Sequence, residues 1–253
     1  MSTTYMSVVN ELLTDSNETV LTSSNFASAV GVHSSVKNYV NRAYLEICAK
    51  EVQWPFLRAN NSNINEPFAG NVSVDISAGT RWYLLKSGST STSTDYAKID
   101  WESFYITTQD VPGATTPYVQ KNLKYISHQE WNRLFQAAEN SDASSEQNYS
   151  EPSFVFPSLD GRYFGVSGLP DKTYKVYFNA WVQPTQLSTY NDEIAIPDMW
   201  KPVLLDRASY FLHMFKKEFQ EATLAERSYN RGLALMRRTL IGRQSDRMLD
   251  DRR

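Results

Sequence analysis

The sequence predicts an α+β protein, in which helices from both ends form one bundle and a large, mainly antiparallel β region is inserted between them. Three observations carry this. Apolar residues recur at helical spacing near both termini, they alternate with polar residues through the middle, and polar loops or Pro/Gly turns separate the segments.

The first helix is expected over Tyr5 to Asp15, with Val8, Val9, Leu12 and Leu13 on one face. A polar stretch, Ser16 to Ser28, interrupts the pattern and holds only the apolar pair Val20 and Leu21. In the second helix Val36, Tyr39, Val40, Ala43, Tyr44 and Ile47 draw one stripe. Gly31 precedes it, and Ser34 or Ser35 is a candidate cap. It must stop before Pro55, since the residue before a proline is pushed out of the helical region. Trp54-Pro55-Phe56-Leu57 then reads as an apolar plug where the chain leaves the helix.

From Arg58 to about Tyr190 the period becomes two. Val72, Val74 and Ile76 alternate with polar residues, and Trp82 to Lys86 and Ser103 to Thr108 are rich in aromatic and β-branched side chains. The Ser/Thr run from Ser87 to Thr94 is an expected loop, as is Glu139 to Ser150. A short helix, Ser127 to Ala138, starts on a capping box of Ser127 and Glu130. Ser153 to Phe156 and Tyr163 to Val166 form a hairpin through Asp160-Gly161, and Leu169-Pro170-Asp171 makes the next turn. Thr173 to Gln183 is the clearest strand. Tyr174, Val176, Phe178, Ala180 and Val182 point one way, and Lys175, Tyr177, Asn179 and Trp181 the other, so both faces are expected to meet protein.

The last third is helical again. Pro202 suits a first turn, and Leu204, Ala208, Phe211, Leu212, Phe215 and Phe219 continue as a stripe. A break is expected near Gln220 to Ala222, because Thr223 to Glu226 spells a second capping box. Ala225, Tyr229, Leu233, Met236 and Leu240 form the next stripe, which Gly242 ends. The expected parts are thus residues 1–57 (helices), 58–190 (β insertion), 191–242 (helices) and 243–253 (a basic tail).

Composition restricts the function classes. The chain has 253 residues, 41% apolar and 21% charged, as expected of a soluble globular protein, and no run reaches the length of a membrane span. Its start has no basic, then apolar, signal pattern, so a secretory route is not expected. The single Cys48 excludes an internal disulfide and a cysteine-based zinc site. The net charge of −3 divides unevenly: from Thr223 onward there are 8 Arg and 4 acids, leaving −7 on the remainder. An Arg-only basic end on an acidic body suggests a docking tail rather than a nucleic-acid reader.

Chemistry has little to work with. His33, His128 and His213 lie about 90 residues apart, with no second histidine at ligand spacing. His213 sits between Leu212 and Met214, as a core or interface histidine would, and Cys48 beside Ile47 reads as a buried, inert thiol. No nucleophile elbow and no phosphate loop occurs. Asp192, Glu193 and Asp198 are the carboxylates best clustered for a glycosidase, but turn and cap positions account for all three. No cofactor or metal is expected, and the protein is not expected to be an enzyme.

Both ends resemble the head-to-tail adaptor, or connector, proteins of tailed bacteriophages, including the tail tubular protein A type. The C-terminal resemblance runs through Leu169-Pro170-Asp171, the strand Tyr174 to Trp181, Pro184, Leu187, Ile196-Pro197-Asp198-Met199-Trp200, Leu204-Leu205, Ala208, Tyr210-Phe211, and the helix around Tyr229 to Met236. The N-terminal part comprises the helices Val8 to Leu13 and Val36 to Lys50 with the Trp54 to Leu57 exit. The stretch from Arg58 to Ser150 matches no motif of the family.

The resemblance implies a virion protein, assembled in the host cytoplasm, whose copies form a ring, usually of twelve, under the portal. Its partners would be itself, the portal protein, a tail nozzle or tube protein, and double-stranded DNA passing without sequence-specific contact; no membrane is involved. The portal-docking residues would be Arg237, Arg238, Arg243, Arg247, Met248, Leu249, Arg252 and Arg253. Subunit or tail contacts are expected from Trp82, Trp101, Tyr177 and Trp181. Two other readings are a receptor- or glycan-binding virion module using exposed tryptophans, and a tail-associated hydrolase using Asp192 or Glu193.

Overall fold

A computed structural model of the chain describes residues 3–59, 72–87, 94–108, 120–135 and 149–241. They form an α+β fold of five α-helices and two sheets. Two compact units arise: Met1–Leu57 with Pro184–Arg253, and Arg58–Gln183.

The first unit is helical. Helix α1 is Tyr5–Asp15, and all of Val8, Val9, Leu12 and Leu13 are buried. Thr4 caps it through a reciprocal capping box with Ser7. Helix α2 is Val32–Lys50. Its cap is Gly31 and neither serine: Gly31 has a left-handed φ of 61°, and the Ser35 hydroxyl donates to its carbonyl. Trp54 is fully buried, donates Nε1–H to the Ile47 carbonyl at 2.9 Å, and stacks on Phe56. The apolar exit from α2 is therefore a hydrogen-bonded plug.

Helix α4 is Lys201–Lys216 and helix α5 is Phe219–Leu240; α4 packs on α1, α2 and α5. The break between them falls at Lys217–Glu218, earlier than the capping-box pattern predicts. Lys217 takes a left-handed φ of 63°, and the Glu218 N–H closes onto the His213 carbonyl at 2.9 Å. Thr223 lies inside α5 and donates its hydroxyl to the Phe219 carbonyl. A tight C-terminal turn at a lysine, with no glycine to announce it, won over the later cap signal.

The N-terminal segment is tied to the chain before α4. The Tyr5 N–H donates to the Asp192 carbonyl at 2.8 Å, Met6 N–H to Tyr190, and Ile194 N–H to Thr3. Buried Asn41 of α2 donates to the Leu187 carbonyl at 3.3 Å and accepts from the Leu187 N–H at 3.1 Å.

The second unit holds the strands β1 (Val72–Ile76), β2 (Trp82–Leu84), β3 (Lys86–Ser87), β4 (Thr94–Thr108), β5 (Gln120–Asn122), β6 (Lys124–Tyr125), β7 (Phe154–Pro157), β8 (Tyr163–Ser167) and β9 (Tyr174–Val182), with helix α3 (His128–Leu134). One sheet runs β1-β9-β4-β3, with β5 also on β4; the other runs β2-β8-β7-β6. Every pair is antiparallel except β6 with β7. The sheets share a core of Ile76, Phe104, Phe164, Val166, Val176 and Phe178.

Three expectations shift here. Strand β4 begins well before Ser103, because a bulge between Asp100 and Tyr105 hides it by breaking the alternation. Ser87 and Thr94 are a strand pair and not loop ends, while residues 88–93 of the expected loop lie outside the described residues. Helix α3 is capped by the Ser127 hydroxyl, which accepts from the Glu130 N–H, and closes at Phe135; residues 136–148 lie outside the description. The β7–β8 hairpin turns at Asp160-Gly161 as its sequence predicts.

Candidate functional site

The surfaces that could contact partners lie separately in the two units. In the helical unit, the α4–α5 corner exposes Met214, Phe215 and Phe219, and Leu224 follows on α5. The sequence pattern places Phe215 and Phe219 on a buried stripe, but α4 ends one residue after Phe215 and the turn at Lys217 redirects the chain before Phe219, and both are exposed. His213 is not a core residue. Its Nδ1 lies 2.7 Å from the Glu218 carboxylate, pinning the turn, with the side chain 31% exposed. Phe215 still touches Tyr39 of α2.

Behind the corner, Arg207 is the polar centre of the unit. It donates Nε–H and Nη2–H to the Glu46 carboxylate at 3.0 and 2.8 Å. Its guanidinium also sits 4.7–5.0 Å from the ring centres of Tyr210, Phe211 and Tyr229. This joins α2, α4 and α5. Spacing within one helix gives no sign of it, because Glu46 lies 161 positions away.

The expected docking residues divide. Arg237 forms an ion pair with Glu51 at 3.0 Å, so it braces α5 against the end of α2. Arg238, the next residue, is exposed. Arg243, Arg247, Met248, Leu249, Arg252 and Arg253, together with the expected stop at Gly242, lie outside the described residues.

In the β unit the four expected interface aromatics are placed differently. Trp82 is 38% exposed. It stacks on His128 and meets Trp131 and Phe156 edge to face. Gly165 pairs with Trp82 across β2 and β8, and a Cβ there would come within 2.6 Å of the Phe156 ring, so the aromatic layer requires glycine. Trp82, His128, Ser158, Leu159, Asp160 and Tyr163 line a shallow, mostly apolar hollow. Hydrogen bonds from the Ser158 hydroxyl and the Arg162 N–H hold the Asp160 carboxyl below its usual range, so a fixed negative charge lies at the rim.

Trp101 is half-buried, and the bulge lays it flat on Phe104, with ring centres 5.3 Å apart and planes 5° apart. Tyr177 and Trp181 are buried within the unit, at 2% and 8% exposure; Tyr177 stacks on Tyr105. The second face of β9 is thus covered by this chain itself, and of the four aromatics Trp82 and Trp101 offer surface.

The chemically versatile side chains are engaged in the fold. Burial pushes the Cys48 thiol up to about 12. His33 and His128 each contact a backbone carbonyl, of Thr19 and Pro157. Burial works to raise the Asp192 carboxyl, but hydrogen bonds from Thr189 and Ser188 outweigh it and hold the group below its usual range. Asp198 is lowered chiefly by the Thr3 hydroxyl. It is not a local helix cap but a clasp on the N-terminal segment, and its Oδ1 also accepts from the Thr3 N–H at 3.1 Å. Glu193 pairs through its backbone with Thr4. Among the described residues no cluster of three His, Cys, Asp or Glu could hold a metal ion, and no helix is long and apolar enough to cross a membrane.

The family model described as SU10 adaptor protein matches residues 3–252, and the chain belongs to this family of bacteriophage adaptors. No curated protein matches the chain. The match also spans residues 58–150, where the sequence alone shows no family motif.

Proposed function

We propose that this protein is a non-enzymatic head-to-tail adaptor of a phage virion. Copies dock as a ring, of twelve by analogy with the tail tubular protein A type, beneath the portal, extend the DNA channel and form the platform for the tail. The family match over residues 3–252 carries this reading. Several features support it. The helical unit leads into the arginine-bearing segment 243–253, suited to bidentate pairing with acidic groups of a portal. The β unit exposes a Trp82, Tyr163 and Leu159 surface beside Asp160, of the residue types that anchor protein interfaces, as a platform for a tail nozzle or tube protein. An acidic body lets DNA phosphate pass without being gripped. Assembly would take place in the host cytoplasm and the product would reside in the virion neck.

The test is co-expression with the cognate portal. The full chain is expected to co-migrate with portal as a ring-bearing complex on a sizing column, and a chain ending at residue 241 to remain folded but fail to bind. Absence of co-migration by the full chain would overturn the reading, and portal binding by the truncated chain would remove the tail from it.

A further inference from the structure

The helical unit carries two unlike surfaces. On α5, Leu224, Arg227, Arg231, Leu235 and Arg238 follow steps of 3, 4, 4 and 3, a single line along the helix opposite the buried Tyr229, Leu233 and Met236. All five are exposed, and the side chains of Arg227, Arg231 and Arg238 have no ion-pair or hydrogen-bond partner among the described residues. Phe219 and Leu224 line a shallow hollow at the start of this line.

The opposite charge lies on α1 and the segment clasped to it. Residues 1–36 contain Glu11, Asp15 and Glu18, and residues 184–200 contain Asp192, Glu193 and Asp198, with no lysine or arginine in either stretch. The two stretches are joined by the Tyr5, Met6 and Ile194 hydrogen bonds, so they make one acidic edge. Glu11 is neutralised by Lys201, whereas the Asp15 and Glu18 side chains have no partner among the described residues. Val20, Val30 and Met199 are each more than half exposed on the same stretches. Lys37, which donates to the Phe26 carbonyl, is a basic side chain beside this edge, so the α5 line carries only positive charge and the α1 edge mainly negative charge, each among exposed apolar side chains.

We propose that the α5 arginine–leucine line of one copy docks on the acidic α1 edge of a second copy. This rests on the adaptor reading and specifies its subunit contact. The apolar members supply buried area, and the segregated charges fix which surface meets which. Because the surfaces differ, the contact is head-to-tail, and repetition closes a ring or extends a filament. The charge complementarity exists within the chain itself, which favours a second copy over an unrelated acidic partner or DNA.

Two charge-reversed full-length chains test it: R227E/R231E and D15K/E18K, both chosen outside the C-terminal docking segment. Self-association is measured by sedimentation velocity, alone and on the cognate portal, with circular dichroism as the folding control. Each variant alone is expected to associate about tenfold or more weakly than the parent chain, since like charges then face each other. An equimolar mixture is expected to recover assembly with the two chains alternating, because every junction regains opposite charges. The neutral variant R227Q/R231Q should fall between, and raised salt should weaken the parent contact. Parent-like assembly by either reversed chain, or a mixture of folded chains that does not recover, overturns this contact while leaving the adaptor reading intact. Reversed chains that assemble normally but lose retention on DNA would instead assign the arginine line to phosphate. A parent chain that neither self-associates nor binds portal would overturn both.

Discussion

The two units use different means to specify their packing. In the helical unit, polar ties connect residues far apart in sequence: Asn41 to Leu187, Arg207 to Glu46, Asp198 to Thr3 and Arg237 to Glu51. In the β unit the backbone ladder places the strands, and rings fill the space between sheets. Trp101, Phe104 and Phe178 form a nearly parallel stack, with successive centres 5.3 and 4.5 Å apart. Aliphatic helix stripes slide and rotate at little cost, since apolar burial has no direction, so directional bonds are needed to select one arrangement. A sheet already has its register, and large flat side chains need only fit it.

The largest expected effect is in the stack. Phe104→Ala removes the ring shared by Trp101, Phe164 and Phe178, and should destabilise the β unit by about 3–5 kcal/mol. Cys48, buried in α2 with its thiol pushed up to about 12, reports independently on the helical unit. Thermal unfolding should separate into an early step and a later one, and Cys48 labelling by a thiol reagent should follow only the later one. Cys48 exposure in step with the β transition would show that the two regions unfold as one.

A smaller loss is expected from the polar centre of the helical unit. Glu46→Ala leaves the Arg207 guanidinium half-buried without its bidentate partner, at a cost of about 2–3 kcal/mol. Here Cys48 labelling should accelerate while the β transition stays in place. Adding Arg207→Met should cost less than the sum of the single changes, because the two residues act as a pair; strict additivity would show that the aromatic contacts of Arg207, rather than Glu46, hold it.

The same contrast explains what was readable in the sequence. Helix α1 and strand β9 stand almost where periodicity puts them, because each buries a face that the residue order records directly. The break at Lys217 was not readable: a lysine in the left-handed region is selected by the packing of α4 on α5, not by local preference. Nor was the start of β4, since the bulge spends three residues without advancing the partner strand. Among the interface aromatics, alternation along β9 shows that Tyr177 and Trp181 share a face, but it cannot tell whether this chain or another covers it; Tyr105 stacks on Tyr177 from 72 positions earlier. The polar ties are invisible for the same reason, as each depends on two residues whose distance is set only by the finished fold.

The smallest effect separates the units by pH. Asp198 and Asp160 both have carboxyls held below their usual range, chiefly by the hydroxyls of Thr3 and Ser158. A lowered folded-state value means that the stabilisation is complete above the ordinary carboxylate range, near pH 4, and is lost as pH falls through the lowered value. For Asp160 the bonds lie within its own turn, so protonation should loosen the β7–β8 hairpin alone. For Asp198 they reach across 195 positions, so protonation should release the N-terminal segment from the chain before α4. The protection of the Tyr5 and Ile194 amides against hydrogen exchange, relative to their intrinsic rates, should therefore fall on acidification below about pH 4, more than that of Val8 inside α1. In Asp198→Asn those two amides should exchange faster at neutral pH and lose the acid-dependent step. An unchanged step in that variant would place the acid sensitivity at Asp192, whose carboxylate caps the neighbouring turn at Ser188 and Thr189.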